Sequence, residues 1–197
     1  MRRRQRASVV FIVIVVVLLS SLLAACGAVQ PSPVAPTEAV SQPAGEHFQK
    51  GNELAEQGSF AEAIDEYQLA LEEDPDNVSV LVNLGVAYYN SGQLEDAVEQ
   101  YQNALQSAPN DADIHSNLGA AYVQQNDLQA GLEEYQRAIE LDPNLAQAYF
   151  GLGVVYDALE QGEEAIAAFE KFQQLDEGQD SFASDLAQQY LERLKGQ

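Results

Sequence analysis

The stretch NLGVAYY, residues 83–89, decides the fold because it recurs twice in the chain with small changes. NLGAAYV follows at residues 117–123 and GLGVVYD at residues 151–157, each 34 positions after the one before. A fixed period of this length is the sequence signature of a protein built from stacked repeats. The stretch could bind a partner, or it could only pack one repeat against the next.

Each repeat is predicted to hold two helices. In the segment that contains NLGVAYY, one face of the first helix carries Leu81, Leu84, Gly85 and Tyr88, at positions i, i+3, i+4 and i+7. Farther along, one face of a second helix carries Ala97, Tyr101, Ala104 and Leu105. This spacing is that of an α-helix with one buried face.

Four consecutive segments align at this period: residues 44–77, 78–111, 112–145 and 146–179. The columns that recur are Gly51, Gly85, Gly119 and Gly153; Leu54, Tyr88, Tyr122 and Tyr156; Ala63, Ala97, Gly131 and Ala165; Tyr67, Tyr101, Tyr135 and Phe169; Ala70, Ala104, Ala138 and Phe172; and Pro75, Pro109 and Pro143. Glycine inside a helix costs about 1 kcal/mol relative to alanine. Its recurrence in one column indicates that two helices approach closely there, beside the larger tyrosines.

A turn separates the two helices of each segment. Gly92 lies there in the second segment and Asn126 in the third, and both residue types tolerate the left-handed backbone that ends a helix. The fourth segment has Glu160 at this place, so its turn is expected to shift by a residue or two.

These columns resemble the tetratricopeptide repeat family in period and in the Gly, Tyr, Ala, Tyr or Phe, Ala and Pro positions. The resemblance implies an all-α fold, a superhelix (α-solenoid) of four helix-turn-helix repeats with a concave groove. Residues 180–197 are expected to form a C-terminal capping helix that covers the last repeat with an apolar stripe. That stripe comprises Phe182, Leu186, Tyr190 and Leu194. A partner-binding role for this helix is the alternative.

Residues 1–25 have the pattern of a secretion signal, with arginines followed by an uncharged run rich in Val, Ile and Leu. Leu23 to Cys26, LAAC, resembles the lipobox of bacterial lipoproteins, which implies cleavage before Cys26 and lipidation of its thiol. An uncleaved membrane helix and a free thiol without a role are the alternatives. Residues 26–43 are rich in proline and are predicted to form an extended tether. The expected location is the bacterial cell envelope, with a lipid anchor in the membrane and the repeats on the extracytoplasmic side.

The charge of the chain excludes one class of partner. All 31 acidic residues lie after Cys26, against five basic ones, so this part carries a formal charge of −26. Nucleic acid is an unsuitable partner because its binding needs a basic surface. Anionic lipid head groups would repel the same body. Solubility is the simpler reason for the acid excess.

A second stripe on the first helices, about 100° from the packing face, is the candidate site for a partner. In the family this stripe lines the groove. The candidate residues are Phe48, Asn52, Val82, Val86, Tyr89, Asn90, Ser116, Val123, Gln124, Phe150, Val154 and Asp157. Several are apolar, which is unusual for a surface that meets only water. The alternative is that these side chains are buried between helices.

The partner is expected to be a protein or peptide segment that is apolar or basic, bound as a helix or as an extended strand. Some family members grip an acidic peptide terminus with lysines and asparagines. Asn52 and Asn83 occupy two such places here, but Phe48 and Asp113 stand where basic residues are needed. That binding mode is therefore not expected.

No catalytic constellation is found, so the chain is not expected to be an enzyme, and no metal, cofactor or small-molecule substrate is expected. His47 and His115 fall in the same column, two repeats apart, and are interpreted as packing residues. The resulting hypothesis is a lipid-anchored extracytoplasmic adaptor that binds a partner segment in its groove. A passive structural subunit of a larger envelope assembly, or of a homo-oligomer, is the alternative.

Overall fold

The structure is a computed structural model that describes residues 43–196, with side chains from residue 45 onward. The signal sequence, Cys26 and nearly all of the proline-rich tether lie outside the described residues. Within the described part the regular structure is entirely helical. The nine helices of this part are α1 (Pro43–Glu56), α2 (Phe60–Glu73), α3 (Val78–Asn90), α4 (Leu94–Ser107), α5 (Ala112–Gln124), α6 (Leu128–Leu141), α7 (Ala146–Ala158), α8 (Gly162–Asp176) and α9 (Ser181–Lys195).

The helices stack in chain order. Each odd-numbered helix from α1 to α7 packs against the helix that follows it, and each even-numbered helix also packs against the first helix of the next pair. The first helices contact one another as well, α1 with α3, α3 with α5, and α5 with α7. Because each pair meets only its neighbours, the array is a helical solenoid, and the expected all-α fold is confirmed.

The glycine column is where the two helices of a repeat approach most closely. A Cβ atom added at Gly85 would lie 2.6 Å from Cε1 of Tyr101. The same addition at Gly51 would meet the ring of Tyr67 at 2.5 Å. The aromatic ring of the second helix therefore occupies the space that any side chain at this column would need. Residues of NLGVAYY such as Leu84, Gly85 and Tyr88 are buried packing residues, as predicted.

A recurring hydrogen bond joins each repeat to the next. A glutamine amide on a second helix donates to the tyrosine hydroxyl on the first helix of the following repeat. The pairs are Gln68 with Tyr88 at 2.9 Å, Gln102 with Tyr122 at 2.9 Å, and Gln136 with Tyr156 at 3.3 Å. Each of these tyrosines thus contributes to stacking with its ring and with its hydroxyl.

The four turns within the repeats share one conformation. Gly58, Gly92, Asn126 and Glu160 all have positive φ, at 77°, 80°, 66° and 60°. After Glu160, the amide of Gln161 donates to the carbonyl of Tyr156 at 2.8 Å, as Gln93 does to Tyr88 at 2.9 Å. The expected shift of the fourth turn is wrong, because the closing hydrogen bonds hold Glu160 in the left-handed conformation that glycine adopts more easily.

The C-terminal helix α9 packs on α8, and the predicted stripe takes part in the contact. The Tyr190 ring stacks on that of Phe169 at 4.7 Å, and Leu186 and Leu194 pack on the same cluster. The side chains it buries are Ala183, Ala187 and Leu191. Phe182 is 42% exposed, and Leu186, Tyr190 and Leu194 are half-buried. The predicted capping contact is therefore confirmed except at Phe182, and Ala183, Ala187 and Leu191 beside the stripe are more deeply buried than the stripe itself.

None of the helices between residues 43 and 196 is both long enough and apolar enough to span a bilayer.

Candidate functional site

Part of the candidate stripe is buried. Val82 is 1% exposed, Ser116 6% and Phe150 8%. These three side chains offer almost no surface to a partner, so their prediction as groove residues is wrong. They all belong to one column of the repeat, at the fifth residue of each 34-residue segment.

The aromatic contacts explain why this column is buried. The ring of Phe150 lies 5.8 Å from that of Phe169 and 5.2 Å from that of Phe172, both on the second helix of the same repeat. Phe48 approaches Tyr67 of its own repeat in the same way, at 6.0 Å, although it is half-buried. Phe48 and Phe150 therefore pack against the second helix of their own repeat, a contact that helical spacing alone does not reveal.

The rest of the predicted stripe reaches the surface of the first helices. Val86, Tyr89, Val123 and Val154 are half-buried and follow one another along α3, α5 and α7. Because these helices contact one another in sequence, their exposed flanks form one continuous strip. We call this strip the inner surface. Its polar members are Asn52, Asn90, Gln124 and Asp157, which are half-buried too.

A polar network closes the inner surface at α1. The Tyr67 hydroxyl donates to Oδ1 of Asn52 at 2.8 Å, and Nδ2 of Asn83 donates to the same oxygen at 2.8 Å. Burial raises the pKa of Tyr67 to about 12, although its contact with Asn83 opposes the rise. Oδ1 of Asn52 therefore accepts hydrogen bonds from both Asn83 and the tyrosine of the first repeat.

The second and third repeats lack the equivalent network. Tyr101 is the counterpart of Tyr67 and is fully buried, yet its hydroxyl has no hydrogen-bond partner. The column that supplies Asn52 in the first repeat holds Val86 in the second, and valine cannot accept a hydrogen bond. Oδ1 of Asn83 and Oε1 of Gln124 are also buried without a partner. Sequence reasoning missed this feature, although the change from Asn to Val was visible.

Tyr89 lies near two other buried tyrosines, Tyr101 and Tyr135. Burial raises the pKa of Tyr89. Burial also raises the pKa values of Tyr101 and Tyr135, and the proximity of Tyr89 adds to both shifts. The Tyr135 ring covers Gly151, where a Cβ atom would collide with it. Three phenols from α3, α4 and α6 thus lie in one region beside the inner surface.

At α7 the inner surface ends in an ion pair. Nη2 of Arg193 on α9 lies 2.7 Å from Oδ2 of Asp157. The Arg193 guanidinium also lies 5.1 Å from the centroid of the Tyr190 ring, in a cation–π arrangement. Asp157 is therefore engaged by the C-terminal helix, and the last turn of that helix borders the strip.

Both histidines contact glutamates of their own repeat. Nδ1 of His47 lies 2.6 Å from Oε2 of Glu66, which also pairs with Lys50 at 2.5 Å. Nδ1 of His115 lies 2.6 Å from Oε2 of Glu134. This places the histidines between the two helices of a repeat, as predicted. Among the described residues no group of His, Cys, Asp and Glu side chains could hold a metal ion.

Comparison with known proteins identifies relatives of this arrangement. Sequence models described as tetratricopeptide repeat match residues 54–121, 91–137 and 146–179, and a model described as TPR repeat matches residues 119–162. No curated protein sequence shows significant similarity to the chain.

Three solved structures illustrate the similarity. A crystal structure of MamA is 30% identical, with a TM-score of 0.61, and the match covers 74% of this chain and 92% of that one. MamA from Desulfovibrio magneticus RS-1 is 26% identical, with a TM-score of 0.64 and coverage of 70% and 77%. The first TPR of Spaghetti (RPAP3), bound to the HSP90 peptide SRMEEVD, is 29% identical, with a TM-score of 0.59 and coverage of 64% and 99%.

Proposed function

Because the chain belongs to the tetratricopeptide repeat family, we propose that it is a protein–protein interaction adaptor that binds a partner segment on its inner surface. Repeats of this kind bind peptide or protein partners, as the complex of Spaghetti with its HSP90 peptide illustrates. They are typically scaffolds and not enzymes. The adaptor reading is thus the one that the fold supports best.

The observation that carries the proposal is the continuous apolar strip on the first helices. Val86, Val123 and Val154 keep part of their surface exposed along three adjacent helices. Val82 on the same helix as Val86 is, by contrast, 1% exposed. A run of exposed apolar surface across several repeats is typical of a contact site.

The chemistry of the strip favours an apolar or basic partner. Basic side chains are scarce, since the chain after Cys26 has only five, and one of them, Lys50, is engaged by Glu66. Asp113 occupies a place where a basic residue would be needed to grip a carboxylate. Burial raises the pKa of Asp113, and the nearby carboxylates of Asp111 and Asp142 add to the rise. An acidic peptide terminus would be repelled.

We further propose that the adaptor is held at a bacterial membrane by a lipid on Cys26. The support is the sequence alone: a signal-like run, the LAAC motif and a proline-rich spacer before α1. A mass spectrum of the purified native protein tests this part. Diacylglycerol on an N-terminal Cys26 supports it, and an intact, unmodified N-terminus contradicts it.

Capture from a membrane extract tests the binding role. The full chain is immobilised and compared with the double variant Val86→Glu, Val154→Glu, which places two charges on the strip. Both positions are half-buried at the surface, so the substitutions are more easily tolerated there than in the core. Leu69→Glu is the matched control, because Leu69 is 38% exposed on α2, a second helix away from the strip. Partners retained by wild type and by Leu69→Glu but lost by the double variant support the proposal, and equal capture by all three contradicts it.

A further inference from the structure

The ion pair between Arg193 and Asp157 differs from the other ion pairs of the basic side chains. Lys50 and Arg137 pair with carboxylates of their own repeat, and Lys195 pairs with one on the neighbouring helix. Arg193 instead reaches past α8 to Asp157 on α7, 36 positions earlier in the chain. Because Asp157 belongs to the inner surface, the C-terminal helix places a positive charge at the edge of the surface that is proposed to receive the partner.

The guanidinium of Arg193 contacts both a carboxylate and an aromatic ring. Its Nη2 atom lies 2.7 Å from Oδ2 of Asp157, and its carbon lies 5.1 Å from the centroid of the Tyr190 ring. The Tyr190 ring is itself held by Phe169, on which it stacks with the centroids 4.7 Å apart. A carboxylate beside an aromatic face is an arrangement that binds guanidinium and ammonium groups.

The electrostatics of Tyr190 show that the three groups lie together. Burial raises the pKa of the Tyr190 hydroxyl, the carboxylate of Asp157 adds to the rise, and the guanidinium of Arg193 opposes it. Tyr190 therefore senses both charges of the ion pair. This cluster joins α7 to α9 at the last turn of the C-terminal helix.

Resting on the proposed function, we infer that Asp157 and Tyr190 form a binding site for a cationic side chain of the partner, an arginine or a lysine, which Arg193 occupies in the free protein. The partner's cation takes the place of the Arg193 guanidinium, and the side chain of Arg193 turns out into water. The C-terminal helix thus carries an internal competitor for basic partners.

The exposure of the two side chains makes this exchange feasible. The side chain of Arg193 is 37% exposed, whereas that of Asp157 is 15% exposed. Arg193 is therefore free to rotate into water, while Asp157 stays in place and keeps its need for a positive partner. A partly exposed ion pair favours the paired state by a factor of about five or less. A partner cation that also gains apolar contacts on the inner surface can overcome that preference.

A purely structural role, in which the pair fastens α9 to the repeats, is the alternative. The attachment of α9 has other sources, however. Asp176 accepts hydrogen bonds from the amide of Asp180 at 3.1 Å and from the hydroxyl of Ser184 at 2.8 Å, which holds the start of the helix. The buried side chains Ala183 and Leu191 pack in the same cluster as Phe169. Release of the Arg193 side chain therefore leaves α9 in place.

The test uses two small probes that differ in charge. N-acetyl-arginine amide carries the guanidinium, and N-acetyl-citrulline amide has nearly the same shape without the charge. Each probe is titrated into the full chain, and the backbone amide signals of residues 157 and 190 are followed by nuclear magnetic resonance. The proteins compared are wild type, Arg193→Ala, the double variant Arg193→Ala, Asp157→Asn, and the matched control Lys195→Ala, which removes a basic side chain from the same turn of α9.

Emptying the site is expected to expose it to the arginine probe. Arg193→Ala should bind this probe more tightly than wild type, by up to about fivefold, because the internal competitor is gone. Lys195→Ala should behave as wild type does, and the double variant should lose the binding. Equal affinity of wild type and Arg193→Ala, equal binding of the citrulline probe, or binding that survives in the double variant overturns the inference. Arg193→Gln repeats the measurement with a longer neutral side chain, so a local loosening of α9 in the alanine variant does not decide the outcome.

The partner's use of the site is read from the capture experiment. A partner captured by wild type is expected to be retained by Arg193→Ala and weakened by Asp157→Asn. Retention that is unaffected by Asp157→Asn overturns the assignment of the site to the partner, while the adaptor role stands. Equal capture by wild type and by Val86→Glu, Val154→Glu contradicts the adaptor role itself, whatever the small probes show.

Discussion

The close approach at the glycine column makes a quantitative prediction for Gly85→Ala. The added Cβ atom would lie 2.6 Å from Cε1, 2.9 Å from Cδ1 and 3.0 Å from Cζ of Tyr101. Favourable carbon contacts need about 3.5–4.0 Å, so the ring has to move by about 1 Å. Tyr101 is fully buried, as are Ala97 and Ala104 on the same helix, and overpacking of a buried site costs about 1–3 kcal/mol.

The helix itself would gain from alanine. Replacing an internal helical glycine by alanine contributes about 1 kcal/mol of stability. The net expectation for Gly85→Ala is therefore a loss of up to about 2 kcal/mol. Urea unfolding followed by circular dichroism at neutral pH measures it as a lower midpoint at unchanged slope.

Two other glycines calibrate the result. At Gly119 the nearest atom of Tyr135 would lie 3.1 Å away, so Gly119→Ala is expected to cost less than Gly85→Ala. At Gly162 the nearest atom is Cδ2 of Leu194 at 3.9 Å, an ordinary contact, so Gly162→Ala is expected to be neutral or stabilising. A Gly85→Ala protein more stable than wild type, or a Gly85→Ala that costs no more than Gly119→Ala and Gly162→Ala, would refute the reasoning.

Two further predictions concern charged contacts. His47 and Lys50 hold the pKa of the Glu66 carboxyl below its usual value. The contact therefore stabilises the fold fully above the unfolded-state pKa of about 4. This stabilisation is lost as the pH falls below about 4 and the carboxyl becomes protonated. Glu66→Gln is expected to have a lower melting temperature than wild type at pH 7, and the difference is expected to shrink toward pH 3. Thermal melts between pH 7 and pH 3 check this. A difference in melting temperature that stays constant over this range would contradict it. Arg193→Ala is expected to cost about 1 kcal/mol or less, because its pair with Asp157 is partly exposed, and high salt should shrink the cost.

Periodicity predicted the architecture well because packing in a repeat array is local. The glycine column of Gly85 and the aromatic column of Tyr101 recur together in every repeat. The structure shows that the two columns are in contact. The same logic failed for Glu160, since the residue type suggested a displaced turn. The closing hydrogen bonds of the turn outweigh the intrinsic preference of one residue.

The candidate site was predicted less well because helical spacing shows which face a residue lies on but not how deeply neighbouring helices bury it. Val82 and Val86 are four residues apart on the same helix, yet the first is sealed and the second is half-exposed. Only the positions of the neighbouring helices distinguish them. The unpartnered hydroxyl of Tyr101 has a similar origin, since it depends on which residue of another helix lies opposite.

The central claim is that the inner surface, and not the outer face of the second helices, contacts the partner. Site-specific photo-crosslinking measures this directly, with benzoyl-phenylalanine placed in the full chain at Val86 or, as the comparison, at Leu69. We predict a discrete crosslinked partner from position 86 and none from position 69. Crosslinks that form at position 69 but not at position 86 would contradict the account.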